Sequence, residues 1–134
     1  MPVPEHPNAA LVRRLFEAFD RRDIAAINDA IAEDAVWHFP GRRGALAGEH
    51  RGRDAILRFL ANVGVLTTGT FHLDLLDITA SDDRAVGLFT GTGTRPDGRT
   101  LQNPTALVIA IHAGRVTELR EFVWNLSAVE NFWS

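Results

Sequence analysis

An α+β fold is predicted for this chain by a change of hydrophobic period partway along it. Apolar residues recur at helical spacing as far as about Val63, and from Thr70 onward they alternate with period two. Three clusters of turn residues then divide the alternating half into four strands. At 134 residues and 46% hydrophobic content, residues 1–134 are read as one domain with one core and room for a modest cavity.

Asn8 is placed to cap a first helix from Ala9 to about Arg22, whose Val12, Leu15, Phe16 and Phe19 fall on one face. Asp23 caps a second helix with Ile24, Ile27 and Ile31 on one side, and so short a break implies a helical hairpin. Ala35 to Phe39 reads as a short strand ended by Pro40-Gly41, and Arg42 to Arg51 as a loop. A third helix runs from about Arg53 to Val63 and stops at Gly64. Strands follow near Thr70 to Thr79, Arg84 to Thr94, Thr100 to Ile111 and Arg115 to Trp124, forming a curled antiparallel meander. The apolar tail, Leu126 to Ser134, is expected to pack back as a short helix or arm.

The two later turns, Pro96-Asp97-Gly98 and His112-Ala113-Gly114, read as three-residue hairpin loops with glycine in the left-handed position. Such loops set the register. Phe89 then lies opposite Thr105, Gly91 opposite Asn103, Thr105 opposite Glu121, and Asn103 opposite Val123. One face carries Gly87, Phe89, Gly91, Gly93, Asn103, Thr105, Leu107 and Glu121, where three glycines beside a polar trio leave space for a ligand. The other face, with Val86, Leu88, Val108, Phe122 and Trp124, is too apolar for water and reads as a dimer interface or a seat for the tail.

Composition narrows the chemistry. Cysteine, lysine and tyrosine are absent, which excludes thiol, Schiff-base and phenolic mechanisms and leaves five histidines and the carboxylates for proton transfer. The net charge of −3 without a basic stripe makes nucleic acid an unexpected partner. No apolar run reaches the ~18 to 20 residues of a membrane span, and Met1 to Pro7 lack a leader pattern, so no membrane association and a cytoplasmic location are expected. His72 and Asp74 sit two apart on a strand but lack a third ligand, so no metal is expected. Gly91-Thr92-Gly93 precedes no helix, so it is not a phosphate loop, and a cofactor-free protein is expected.

Glu121 is the strongest candidate for chemistry. It is an acid within the apolar strand Val116 to Trp124, and if it points inward its burial raises its pKa and suits it to take a proton alpha to a carbonyl and return it. The competing reading is a structural acid bonded to Thr105 or paired with Arg120. His38 is a candidate proton donor, although strict alternation with Trp37 and Phe39 turns it away from the cavity. Asn103 and Thr105 are candidates to orient a ligand carbonyl, or to satisfy each other. Phe16, Trp37, Phe59 and Phe89 are candidate walls, at spacings that would equally serve a plain core.

Order and pattern together resemble the nuclear-transport-factor-2-like superfamily, in particular its SnoaL-like polyketide cyclase and ketosteroid isomerase branch. The resemblance is carried by Phe16-Glu17-Ala18-Phe19 with Asp23-Ile24, by Glu33 to Gly41, by Leu46-Ala47-Gly48 with Gly52 to Ile56, and by Gly114-Arg115-Val116 leading to Glu121. It implies a cone-shaped barrel, three N-terminal helices closing a strongly bent, mostly antiparallel sheet around an apolar cavity, and pairing of two copies through the outer sheet face. In SnoaL-like cyclases an aspartate acts as acid and base where Glu121 stands here, a His-x-Pro stretch matches His38-Phe39-Pro40, and an inward asparagine matches Asn103. The acids and tyrosine of ketosteroid isomerases fall on Leu15, Phe39 and Leu107, which excludes that constellation, and of the limonene epoxide hydrolase set only Glu121 remains. The resemblance therefore implies a small-molecule-binding protein, with isomerase or cyclase chemistry at Glu121 on an apolar carbonyl compound of polyketide or terpenoid type. The alternative is a non-catalytic ligand-binding or assembly module of the same fold.

Overall fold

The structure, a computed structural model, describes residues 4–134, so the leader reading over Met1 to Pro7 lies partly outside the described residues. Helix α1 spans Pro7–Arg21 and begins two residues earlier than the sequence predicts. Proline at the first helical position lacks only an N–H that would be unpaired there, and His6 accepts the Asn8 N–H as the cap. Asn8 is thereby freed to donate to the carbonyls of Ser81 and Asp82, tying the helix to a distant hairpin. Helix α2, Ile24–Ala30, is capped by Asp23 as expected, its side chain accepting from Ala26 N.

The chain passes directly from α2 into β1, Ile31–Phe39. Residues read as part of a loop form β2, Gly48–Arg51, which pairs antiparallel with β1. Its glycine and charges hide it from a propensity reading, and an edge strand needs little else. Helix α3, Arg53–Leu66, runs through Gly64. It ends where the Thr67 hydroxyl donates to Val63 O, and Gly69, at φ 78°, donates its N–H back to Gly64 O. Strands β3, His72–Ala80, β4, Arg84–Thr94, β5, Thr100–His112, and β6, Arg115–Val123, form the meander, and α4, Leu126–Trp133, ends the chain.

The six strands lie in the order β2-β1-β6-β5-β4-β3. All neighbours are antiparallel except β1 with β6, so the sheet is mixed. It is open, with β2 and β3 at its edges, rather than a closed barrel. Nor are there three N-terminal helices: α3 follows two strands, and a fourth helix packs at the other end of the chain. Helices and inner sheet face bury Leu15, Ile27, Ile31, Ile56, Leu107 and Leu119 between them as the centre of the core.

The β4–β5 register is the one the three-residue loop specifies, with Phe89 opposite Thr105 and Gly91 opposite Asn103. The β5–β6 register is not. His112 pairs with Arg115 across a two-residue turn in which Ala113 and Gly114 both have positive φ. A bulge at Thr117 then shifts the pairing once more, so Glu121 lies opposite Leu107, and Thr105 opposite Val123. Two shifts of one residue restore parity. Glu121 therefore stays on the inner face, displaced by two positions along β5.

Candidate functional site

The inner face, α1 to α3 and the end of α4 enclose a cavity of about 290 Å³. That is the low end of the ~300–1,000 Å³ usual for small-molecule sites. Its walls are mostly aromatic and aliphatic. Phe16 and Phe89 meet edge to face at 5.3 Å between ring centroids, and Trp37 contacts Phe19 at 5.5 Å and Phe59 at 5.1 Å. Trp133 from α4 and Phe71 close the far side, two lining residues that no local pattern marks as such.

The glycines do not supply the space in the way their spacing suggests. A Cβ on Gly87 would lie 2.7 Å from the Phe16 ring, and one on Gly91 3.1 Å from Phe71. Gly93 is similarly occupied, with Thr67 3.2 Å from where its Cβ would be. Aromatic rings seat on the bare backbone, and the cavity lies beyond them.

Glu121 reaches the cavity from β6. Its Oε1 accepts the Trp37 indole N–H at 2.9 Å, and its other oxygen makes no hydrogen bond with a described residue. Burial among apolar walls raises its pKa to about 7, against the opposing pull of the indole N–H. Neither Thr105 nor Arg120 binds it, so Trp37 takes the place of the two partners expected for a structural acid. Arg120 lies on the outer face, 3.8 Å from Glu118.

Asn103 lines the cavity, and its carboxamide makes no hydrogen bond with a described residue. It lies four residues along β5 from Leu107, the partner of Glu121, roughly 13 Å at about 3.3 Å per residue. The corrected register thus places Asn103 and Glu121 at separate points of the wall. Thr105 is buried but is not part of the lining, and its hydroxyl donates to Asn103 O. His38 faces away, as alternation demands. Its Nε2 lies 3.0 Å from Glu118 and its Nδ1 3.4 Å from Glu49. The His38 hydrogen bond holds the Glu118 carboxyl below the usual range. His38 is therefore set apart from the cavity, because it directly follows Trp37 in β1 and successive strand residues point to opposite faces. His72 is engaged with Asp20 at 2.7 Å, and no cluster of three metal-ligating side chains occurs among the described residues.

An open sheet wrapped by helices around such a cavity is the NTF2-like α+β fold, and residues 12–119 match the SnoaL-like domain. The chain belongs to that family. The match stops two residues short of Glu121, so membership fixes the fold around this acid and leaves its role to the geometry. The uncharacterized protein Rv0034 of Mycobacterium tuberculosis is 33% identical over 125 residues, covering 92% of this chain and 94% of that one. Bal32a, from a soil-derived mobile gene cassette, is 37% identical with a TM-score of 0.91, covering 96% and 97%. At 24% identity, where likeness shows the fold alone, are two further structures. An NTF2-like protein of Burkholderia pseudomallei has a TM-score of 0.86 and covers 97% and 99%. A candidate polyketide cyclase of Sinorhizobium meliloti has a TM-score of 0.68 and covers 84% and 94%.

Proposed function

We propose that this SnoaL-fold protein binds a compact, mostly apolar carbonyl compound and moves a proton on it by acid-base chemistry at Glu121. The observation that carries this reading is a carboxyl with one oxygen held by Trp37 and the other unpaired, on an apolar cavity wall that raises its pKa to about 7. A base of that strength is well matched to neutral pH, partly ionised yet able to hold the proton it takes. The C–H electron pair passes into the carbonyl as an enolate while the proton goes to the free Glu121 oxygen. Return of that proton to a different carbon shifts a double bond. Where the molecule carries a second carbonyl, attack of the enolate carbon on it closes a ring as that C=O π bond opens, and the proton held by Glu121 passes to the resulting alkoxide oxygen.

Asn103, at its distance from Glu121, suits the oxygen of a conjugated carbonyl, whose acidic C–H and oxygen lie several bonds apart. The cavity volume favours a molecule of one or two rings over an extended polyketide. His38 has no part in this scheme. The carbonyl compound and a second copy of the chain are the two partners proposed, the latter through the exposed outer face of the sheet.

The test is hydrogen–deuterium exchange. Cyclic enones and β-diketones in deuterium oxide, followed by NMR, are expected to exchange their acidic protons faster with wild type than with Glu121→Gln. Equal rates would remove the catalytic reading. A second reading, binding without turnover, is favoured by one observation: the Trp37 N–H is committed to Glu121, which leaves Asn103 without a paired donor among the described residues to hold the enolate oxygen. In that case the same compounds would raise the melting temperature without exchange.

A further inference from the structure

Among the residues around the cavity, only Arg22, Ile24 and Ala61 are exposed, so its mouth lies where the α1–α2 corner faces α3. Arg22 caps α1 at φ 56° and ψ 39°, a left-handed conformation that glycine or asparagine adopts at lower cost. Across from it, Gly64 occupies the interior of α3, where glycine weakens a helix. Packing does not require glycine there, because an added Cβ would meet nothing nearer than Arg22 Nε at 3.8 Å. Both positions bear a local cost, and both leave the mouth open beneath a guanidinium.

Arg22 is the one basic side chain on the cavity wall among the described residues. One of its terminal nitrogens donates to Gly69 O at 3.0 Å. The acids beside it are occupied elsewhere: Asp20 pairs with His72 and accepts Leu73 N, and Asp23 accepts Ala26 N. Ile24, 52% exposed, continues the apolar wall out to the rim. An apolar body entering here gains from burial, whereas an anionic end cannot shed its water inside and is stable only at the rim. A planar guanidinium with no carboxylate partner among the described residues is the group that would meet it.

We infer that Arg22 is a specificity-determining residue at the mouth of the cavity, and that the ligand is an amphiphilic anion whose ring system enters while its carboxylate or similar oxyanion stays at Arg22. This rests on the cavity being the ligand site proposed above. The probes are naphthalene-2-carboxylate and its neutral carboxamide, titrated at pH 6 against the fluorescence of Trp37 and Trp133, which line the cavity. Wild type is expected to bind the carboxylate roughly five- to ten-fold more tightly than the amide. In Arg22→Gln the preference should fall to about one with amide affinity unchanged, and Arg22→Lys should restore part of it. Gly64→Leu should slow entry of both probes alike.

Equal affinity for the two probes in wild type, or a preference that survives in Arg22→Gln, overturns the role of Arg22 and leaves the cavity reading standing. Unchanged entry rates in Gly64→Leu overturn the assignment of the mouth. Failure of wild type to bind either probe overturns the inference together with the ligand-site reading beneath it.

Discussion

The apolar cavity wall and Trp37 act on the Glu121 carboxyl in opposite directions: the wall raises its pKa and the indole N–H lowers it, with burial prevailing. Removing the indole in Trp37→Phe leaves the raising effect alone. The ionisation that governs exchange should then move upward from about 7, by about one unit given what a hydrogen bond to a charged group contributes. The pH–rate profile of the two proteins checks this, and a downward move would mean the indole does not donate to the ionised form. The same carboxyl links pH to stability. Unfolded, Glu121 titrates near 4.5, and folded it titrates at about 7, so between those values the folded chain binds more protons. Its contribution to stability is full below about 4.5 and is lost as pH rises through 7. The upper limit is roughly 3 kcal/mol. Glu121→Gln has no such charge to bury, so its melting temperature should gain on wild type by several degrees between pH 5 and pH 8. Parallel thermal melts across that range read the difference directly.

At the scale of elements, the inner face depends on rings seated against bare backbone. Gly87→Ala would bring a methyl group to 2.7 Å and 2.9 Å from the Phe16 ring, and Phe16 in turn packs on Phe89 and Phe19. The variant should lose about 1–3 kcal/mol in denaturant unfolding, as over-packed cores do. The β5–β6 hairpin shows how far turn chemistry can be read. Glycine at 114 marks the turn, but nothing local announces that Ala113 also takes positive φ and makes the loop one residue shorter. The bulge at Thr117 is equally silent, and the β1–β6 pairing on the other side is irregular at the same place, between the partners Val116 and Glu118. The Glu121 face was legible because the two shifts cancel. Its partner was not, and the separation of Asn103 from Glu121 follows from that.

At the scale of the whole molecule, the apolar outer face of the sheet stays uncovered among the described residues. Helix α4 packs toward the cavity, with Phe132 and Trp133 buried, and not over the outer face as the tail could have done. Leu88, Ala106 and Phe122 lie side by side across three strands of that face, with Phe122 56% and Trp124 87% exposed. A patch of this kind on a sheet suits a second copy of the same surface. Light scattering is expected to give twice the chain mass of 14.8 kDa for wild type and the single mass for Phe122→Asp. A monomeric wild type would dispose of the dimer.

The edge strand β2 was not legible in the sequence, whereas the amphipathic helices, the four meander strands, the register of the β4–β5 hairpin and an acid at an inward strand position all were. Each of these follows from forces that act over a few residues: hydrophobic period, capping and turn geometry. That Trp37 meets Glu121 across 84 residues of chain, that Glu118 and Glu49 engage His38 on the outer face, and that Arg22 stands at the mouth became visible only with the packed chain. Desolvation and hydrogen bonding between distant segments depend on what packs against a residue, and no local pattern encodes that.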